Sequence, residues 1–345
     1  NKKFDKLFGR AHRKPETQIT QMDMDLARSI QRVTEEVMLK ASRHIHKLTG
    51  QKNLCLAGGV ALNCVANGRI LKEGPFENIW IQPSSGDAGG ALGAALRIWY
   101  KYLGNKRIAD NITDFQKGSY LGPEYLDSCI ESYLKTNDIP YAKLTKEALL
   151  KTVSQYINDE KVIGWFQGRM EFGPRALGAR SIIGDARSPA MQSRMNLKIK
   201  FRESFRPFAP SVLAEKAKDY FNINSESPYM LLVANVNSSH LKKDNAKEPE
   251  GFDRLKIVRS DIPAVTHVDD SARLQTVSKD TPHKIYYELI NELYKNTGCP
   301  VIINTSFNVR GEPIVCSPED AYRCFIATDM DYLVMGSFVL DKKLQ

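Results

Sequence analysis

Between Arg169 and Arg206 the chain carries nine basic residues (Arg169, Arg175, Arg180, Arg187, Arg194, Lys198, Lys200, Arg202, Arg206) against three acids (Glu171, Asp185, Glu203). That local excess is two thirds of the +9 net charge of the 345-residue chain. Seven of the nine are arginines, whose planar fork grips phosphate or carboxylate in bidentate fashion. They alternate with Gly and Pro rather than with aromatics, which favours a compact pocket over a nucleic-acid groove. In GRMEFGPRALGARSIIGDAR, four glycines and a proline shape a loop from which Arg169, Arg175, Arg180 and Arg187 project. Downstream, MNLKIKFRESFRPFAPSV places Lys198, Lys200 and Arg202 at alternate positions, and the sequence predicts a strand showing all three on one face. Arg206 follows, just before Pro207. Like charges side by side repel, which is tolerable once an anion neutralises them. The chemistry expected here is the binding of small phosphorylated molecules.

Four further segments add polar groups. LAGGVALN sets Gly58 and Gly59 between a strand and a helix, where backbone approaches a ligand closely and a helix amino end favours anions; a tight turn with no ligand has the same pattern. Asn63 is expected one turn into that helix. In PSSGDAGGALG, Asp87 stands between glycines at a strand end, suited to a metal, to a ribose hydroxyl or to capping the next helix. SARLQTV offers Arg273, and NTSFNVRGEP offers Asn304, Ser306 and Asn308 after the apolar run PVII. Chemistry of other kinds is not legible. The chain has no GxSxG elbow, no HExxH or HxxxH, and no GxxxxGKS phosphate loop, so ATP would have to be held another way. His44 and His46, two apart on a helix, read as surface groups.

These groups must be held by elements. Apolar residues at Leu26, Ile30, Val33, Val37, Ala41, Ile45 and Leu48 predict a helix over 22–49 with one buried stripe. Two strand–glycine turn–helix units follow, an α/β layer ending near residue 103. GNKRIADNITDFQKGSYLG shows no period, and a domain boundary is expected there, giving domains 1–115 and 116–345. In the second, helices are expected around 124–136, 145–159, 283–296 and 318–327, with strands at VIGWF, YMLLVAN, PVIIN and YLVMG, an α+β pattern. Residues 237–259 read as a polar surface insertion. Six scattered cysteines with no CxxC pair fit neither a disulfide framework nor a zinc ribbon and point to a reducing, cytoplasmic setting. No eighteen apolar residues run together, so no membrane partner is expected.

With LAGGVALNCVANG, QPSSGDAGGALGAAL, GRMEFGPRALGARSI, LKIKFRESFRPFAP, SARLQTV and NTSFN in this order, the chain resembles the nodulation protein U family of O-carbamoyltransferases, which includes the antibiotic-tailoring enzymes. The resemblance implies part of an actin/sugar-kinase/heat-shock ATPase-like transfer domain followed by a threonylcarbamoyl-AMP synthase-like domain. In such proteins the second domain breaks down carbamoyl phosphate, joins the carbamate to the α-phosphate of ATP (with Mg²⁺), and releases pyrophosphate. The first holds the carbamoyl adenylate near a metal, commonly Fe²⁺, while a small-molecule hydroxyl attacks. Carried over, Arg175, Lys200, Arg202, Arg206 and Arg273 are phosphate-binding cations, with Lys200, Arg206 and Arg175 catalytic. Asn304, Ser306 and Asn308 contact nucleotide or carbamoyl; Gly58, Gly59 and Asn63 contact adenosine; Asp87 is a metal ligand. Family members also carry an amino-terminal half with metal-binding histidines in an HxxxH-like arrangement. Its absence here implies a carboxyl-terminal portion unable to complete transfer alone. A homodimer is compatible with this reading. Two competing readings are a tRNA threonylcarbamoyl-type enzyme and a non-enzymatic nucleic-acid-binding protein; a steep fall of RNA affinity with salt would mark either.

Overall fold

The structure, a computed structural model, describes residues 2–14, 17–110, 113–242 and 251–345. Its residues fall into two units, Asn1–Leu54 with Arg69–Asn78, and Cys55–Gly68 with Ile79–Gln345.

In the first unit, α1 (Lys2–Leu7) is followed by α2 (Gln21–Thr49). Helix α2 starts where Thr20 and Asp23 form a reciprocal capping box and stops at Gly50, whose left-handed φ of 63° a residue with a side chain rarely adopts. The helix is where the periodicity predicts it, but the burial is not. Ile30 is 63% exposed and Leu48 70%, and Val33, Val37, Ala41 and Ile45 are exposed too; the side turned inward carries Glu35, Leu39 and Ser42. Glu35 tolerates burial because Arg69 lies 3.0 Å from it while also gripping Glu73 at 2.8 Å.

Strands β1 (Asn53–Leu56) and β2 (Asn78–Ile81) form a two-stranded sheet, each followed by a glycine turn and then by α3 (Cys64–Glu73) or α4 (Gly89–Arg97), as the sequence predicts. Helix α4 runs on into a π-helical turn, Ile98–Tyr102.

The rest of the second unit is built on a nine-stranded mixed sheet. Helices α5 (Asp127–Thr136) and α6 (Lys146–Asn158) flank β3 (Ala142–Lys143). Then come β4 (Ile163–Phe166), β5 (Arg180–Asp185), α7 (Met191–Lys198), β6 (Ala209–Leu213), α8 (Ala217–Tyr220), β7 (Leu232–Asn235) and β8 (Ser271–Val277). The chain ends with α9 (Lys284–Thr297), β9 (Val301–Ser306), α10 (Pro318–Ile326), β10 (Tyr332–Met335) and β11 (Phe338–Asp341). The strand order is β3-β11-β10-β4-β5-β9-β6-β8-β7. Among the described residues of this sheet, β4–β10 and β6–β8 are parallel and the other pairs antiparallel. Strands β4, β5 and β6 are buried at every position, as central strands covered on both faces must be.

Helices α6 and α9 pack on one face of this sheet. Tyr286, Leu289, Ile290 and Leu293 recur at helical spacing on α9 and, with Leu149, Val153 and Ile157 of α6, close over Trp165, Ile183 and Ile302. Each aliphatic side chain so buried contributes about 1.5–3 kcal/mol before the entropy of ordering it. Of the segment 237–259, residues 243–250 lie outside the described residues, and Gly251–Lys256 is a 3-10 turn.

Candidate active site

A cavity of about 470 Å³ opens at the ends of β8 and β9. Arg175, Arg202, Arg206 and Arg273 wall it, with Asn304, Thr305 and Ser306 from β9 and Cys64 and Val65 from the start of α3. Among the described residues no Asp or Glu lines it. Two other cavities mix charges: one of about 520 Å³ has Glu215, Lys218, Glu226 and Lys279, and one of about 710 Å³ has Arg107 and Asp114. Of these three, an anion would enter the first.

Buried polar anchors aim the guanidinium groups. The loop before β5 is folded around Glu171, whose Oε1 accepts from the backbone N–H of Leu177 and Ala179, both at 2.7 Å, and of Arg180 at 3.3 Å. Gly178 turns this loop at φ +111°. Arg180 is fully buried with its guanidinium 3.6 Å from the Phe166 ring centroid, and it donates to the carbonyls of Gln167, Gly168, Ala179 and Pro123. That leaves Arg175 at the loop's crest, facing the cavity and donating to the Leu62 carbonyl at 3.4 Å. In the loop before β6, Asn196 is the anchor: its Nδ2 donates to the carbonyls of Ser204 and Arg206, and its Oδ1 accepts from Arg202 Nε at 2.7 Å. Arg202 also lies 5.1 Å from the Phe208 ring centroid. On β9, Asn304 is fully buried and donates to Ala176 O, Ser211 Oγ and Gln275 Oε1.

Glu203 lies 3.1 Å from Arg206 Nε, while Arg175, Arg202 and Arg273 form no ion pair among the described residues. Burial and the neighbouring Arg273 push Arg175 down to about 10, and burial with Arg206 and Arg273 does the same to Arg202. Both remain charged at neutral pH. The Nε atoms of Arg175 and Arg273 are buried with no hydrogen-bond partner. Such groups cost free energy unless a ligand satisfies them.

Several predicted positions are corrected. Lys198, Lys200 and Arg202 do not share a strand: Lys198 ends α7 and approaches Asp329 at 3.8 Å, while Lys200 and Arg202 lie in the loop beyond. The cause is a helical repeat, Met191, Met195 and Ile199, all buried, which overrides the alternation of charge. Lys200 is absent from the cavity wall. It is 3% exposed and donates to the carbonyls of Ser306 and Asn308, to Asn308 Oδ1 at 2.8 Å and to Ser306 Oγ at 3.3 Å. Burial, with Arg202 nearby, pushes its ammonium down to about 7. Asn308 likewise lies behind the wall, between Lys200 and Glu312 O. Of the four arginines expected to project from the glycine-rich loop, only Arg175 reaches the cavity. Arg169 pairs with Glu124, Arg187 with Asp185, and Arg180 is internal. Further on, Arg194 pairs with Asp331.

Comparison with known proteins decides the family. Residues 154–342 match the family model described as carbamoyltransferase C-terminus, and residues 1–96 match carbamoyltransferase N-terminus. The chain belongs to the nodulation protein U-like carbamoyltransferases. It is 57% identical, over its whole length, to 56% of an uncharacterized Synechocystis protein, sll1178. It is 41% identical to nodulation protein NolNO of Sinorhizobium fredii, over 94% of this chain and 45% of that protein. Nodulation protein U of Rhizobium tropici is 35% identical over 85% of this chain and 44% of its own length. The chain thus spans about half the length of these relatives. Two solved structures of HypF match parts of the chain at low TM-scores. That from T. kodakarensis has a TM-score of 0.34 at 15% identity, over 52% of this chain and 20% of that one. A full-length HypF in a phosphate- and nucleotide-bound form has a TM-score of 0.36 at 16% identity, over 76% and 36%.

The two glycine turns are joined to each other and to the arginine loop. Gly58, at φ +100°, donates to Ser85 O at 3.0 Å, and Ser84 Oγ donates to Phe172 O at 2.6 Å. Gly59 begins a 3-10 turn, Gly59–Leu62, with open space where a side chain would stand. Asn63 is not inside the helix, as expected, but precedes α3, where its Oδ1 accepts from Ala66 N at 3.1 Å. Gly58, Gly59, Asn63 and Asp87 are not part of the arginine cavity. Asp87 is exposed, and among the described residues no group of three or more His, Cys, Asp or Glu is placed to hold a metal. A single carboxylate does not fit an iron site.

The sequence reasoning passed over His267, which lines the arginine cavity with Arg273. Its only signal was position, four residues before SARLQTV.

Proposed function

We propose that the chain activates carbamoyl phosphate with ATP and passes the carbamoyl group to a hydroxyl of a small molecule. Water adds to the carbamoyl carbon and phosphate departs. A carbamate oxygen then attacks the α-phosphorus of ATP while the bond to the β-phosphate breaks, giving carbamoyl adenylate and pyrophosphate. In the final transfer the acceptor oxygen replaces AMP on the carbamoyl carbon.

The observation that carries this reading is a cavity walled by Arg175, Arg202, Arg206 and Arg273, with no carboxylate lining it among the described residues. Two polyanions must meet for the adenylation step, and fixed guanidinium groups both hold them and stabilise the charge that develops on phosphorus. Mg²⁺ accompanying ATP would be held through the phosphates, since the described residues of the wall include no carboxylate. Ser306 and Asn304, which line the cavity, would meet the carbamoyl or nucleotide polar groups, and Lys200 with Asn308 holds the turn that carries Ser306. In this reading residues 116–345 form the threonylcarbamoyl-AMP synthase-like adenylating domain. Residues 1–115 belong to an actin/sugar-kinase/heat-shock ATPase-like transfer domain, in which Gly58, Gly59 and Asn63 meet the adenosine. No step is routed through a metal at Asp87.

The test supplies the chain with carbamoyl phosphate and ATP and follows phosphate and pyrophosphate. Release of both, lost in Arg206→Ala, is expected; release of neither from the wild-type chain refutes the proposal.

A further inference from the structure

Hydrolysis of carbamoyl phosphate needs a group that takes up a proton, and the wall offers few. Its arginines are already protonated, Asn304, Thr305 and Ser306 are not bases, and the ammonium of Lys200 lies behind the wall with its hydrogens given to Ser306 and Asn308. His267 remains.

This imidazole is held by a short relay. Its backbone N–H donates to Ser271 O at 2.8 Å, closing the turn that enters β8. Its Nδ1 lies 3.0 Å from Ser271 Oγ, and that hydroxyl donates its one proton to Asp269 Oδ1 at 2.6 Å. A hydroxyl whose proton is committed can only accept, so the hydrogen between the two is on Nδ1. The neutral ring therefore keeps its lone pair on Nε2. Nε2 has no hydrogen bond to the described residues and is not among the chain's buried unpartnered atoms. Burial lowers the ring's affinity for protons; Asp269 opposes this and Arg273 adds to it. The result is a ring that is neutral at pH 7 yet paired, through Ser271, with a carboxylate that steadies it once charged.

We infer that His267 is the base of the hydrolytic half-reaction, its Nε2 taking a proton from the attacking water, with Ser271 and Asp269 as positioning residues. This rests on the function proposed above. As the water oxygen bonds to the carbamoyl carbon, one of its protons moves to Nε2. The carbon–oxygen bond to phosphate then breaks, and the imidazolium returns the proton to the departing phosphate. Carbamic acid and hydrogen phosphate are the products, and the ring is neutral again. The arginines hold the phosphate and cannot replace the base.

Two half-reactions separate this role from a structural one. The first is phosphate release from carbamoyl phosphate. The second is pyrophosphate release from ATP when carbamate is supplied by ammonium bicarbonate, which needs no hydrolysis. In His267→Ala and His267→Gln, phosphate release should fall by about 10²-fold or more, a usual size for loss of a general base. Pyrophosphate release from supplied carbamate should fall at least tenfold less than phosphate release does. Added imidazole should restore phosphate release to His267→Ala and not to His267→Gln, whose side chain still fills the space. Wild-type rates of phosphate release in both variants overturn the inference, as does equal loss of both half-reactions without rescue. If the wild-type chain releases neither product, the proposed function itself falls; if only the variants behave unexpectedly, the assignment of the base falls alone.

Discussion

Arg175 and Arg273 line one cavity, each with a buried Nε that has no hydrogen-bond partner, and Arg273 helps hold Arg175 down to about 10. One arginine comes from a loop and the other from β8, so the fold brings together two cations that repel until an anion arrives. The ligand-free chain carries that cost, and pyrophosphate should relieve it. A ligand that binds only the folded state adds about 2.7 kcal/mol of stability at a hundred times its Kd. Arg273→Met should leave ligand-free thermal stability unchanged or raised, and should remove most of the Tm increase produced by millimolar pyrophosphate. A shift as large as wild type would place the anion elsewhere.

Lys200 leads to a different expectation. Its ammonium joins the Ser306 and Asn308 carbonyls to their own side chains, so it fixes the turn after β9 from behind. Lys200→Met fills the same space but leaves several buried oxygens without a donor, at about 1–3 kcal/mol each where water cannot reach. Denaturant unfolding should show this loss. Pyrophosphate release should collapse with it, because Ser306 is no longer held at the wall. Lys200→Arg cannot rescue, since its planar fork does not match a cluster built around a tetrahedral ammonium.

What was legible in the sequence follows the strength of local periodicity. Helices α6 and α9 repeat buried residues every three or four positions, and β4, β9 and β10 are apolar runs bounded by turns, so all five are found where expected. The stretch after Met191 carries two competing signals, and the alternating charges at Lys198, Lys200 and Arg202 misled where the repeat Met191, Met195, Ile199 decides the structure. For α2 the apolar stripe identified the helix, but amphipathicity cannot say what covers a face, and here Glu35 and Leu39 turn inward instead. Composition drew attention to the arginines without sorting them. Arg180 stacking on Phe166 and Arg175 facing the cavity depend on the Glu171 carboxylate gathering backbone N–H groups within the loop, a side-chain-to-backbone relation that spacing does not encode. His267 was invisible for the same reason, because its tautomer is set by a hydroxyl and a carboxylate within one turn.

His283 gives the chain a pH dependence. The ring is buried, donates from Nε2 to Gly178 O at 3.0 Å, and is pushed down to about 4, first by burial, with Arg180 adding to it. Unfolded, it would titrate near 6.5. Between these values the unfolded chain binds a proton that the folded one does not, so stability falls as pH drops from about 6.5 to 4 and is fully retained above. The difference corresponds to about 3 kcal/mol. His283→Gln, which can still donate to Gly178 O, should unfold with a shallower dependence on pH in that window. Identical slopes for variant and wild type would show that the ring does not carry the effect.

Gly178, whose carbonyl His283 reads, is also where the arginine loop depends on having no side chain. Its φ of +111° disfavours any L residue, and a Cβ there would lie 2.3 Å from Cδ1 of the fully buried Tyr286. Tyr286 cannot withdraw: it is packed among Leu289, Ile290 and Trp165, and its hydroxyl donates to Ser211 Oγ at 2.9 Å. Ser211 in turn accepts from Asn304 Nδ2, which lines the cavity. Gly178→Ala should therefore cost about 3 kcal/mol from strain and overpacking together. It should also weaken pyrophosphate binding through the Tyr286–Ser211–Asn304 chain, although no atom of residue 178 faces the ligand. Tyr286→Leu in the same chain should recover part of the stability by making room for the methyl group. It should not recover binding, because the hydroxyl that orients Ser211 is gone. Recovery of both would show that the arginine loop, and not this hydrogen-bond chain, links Gly178 to the pocket.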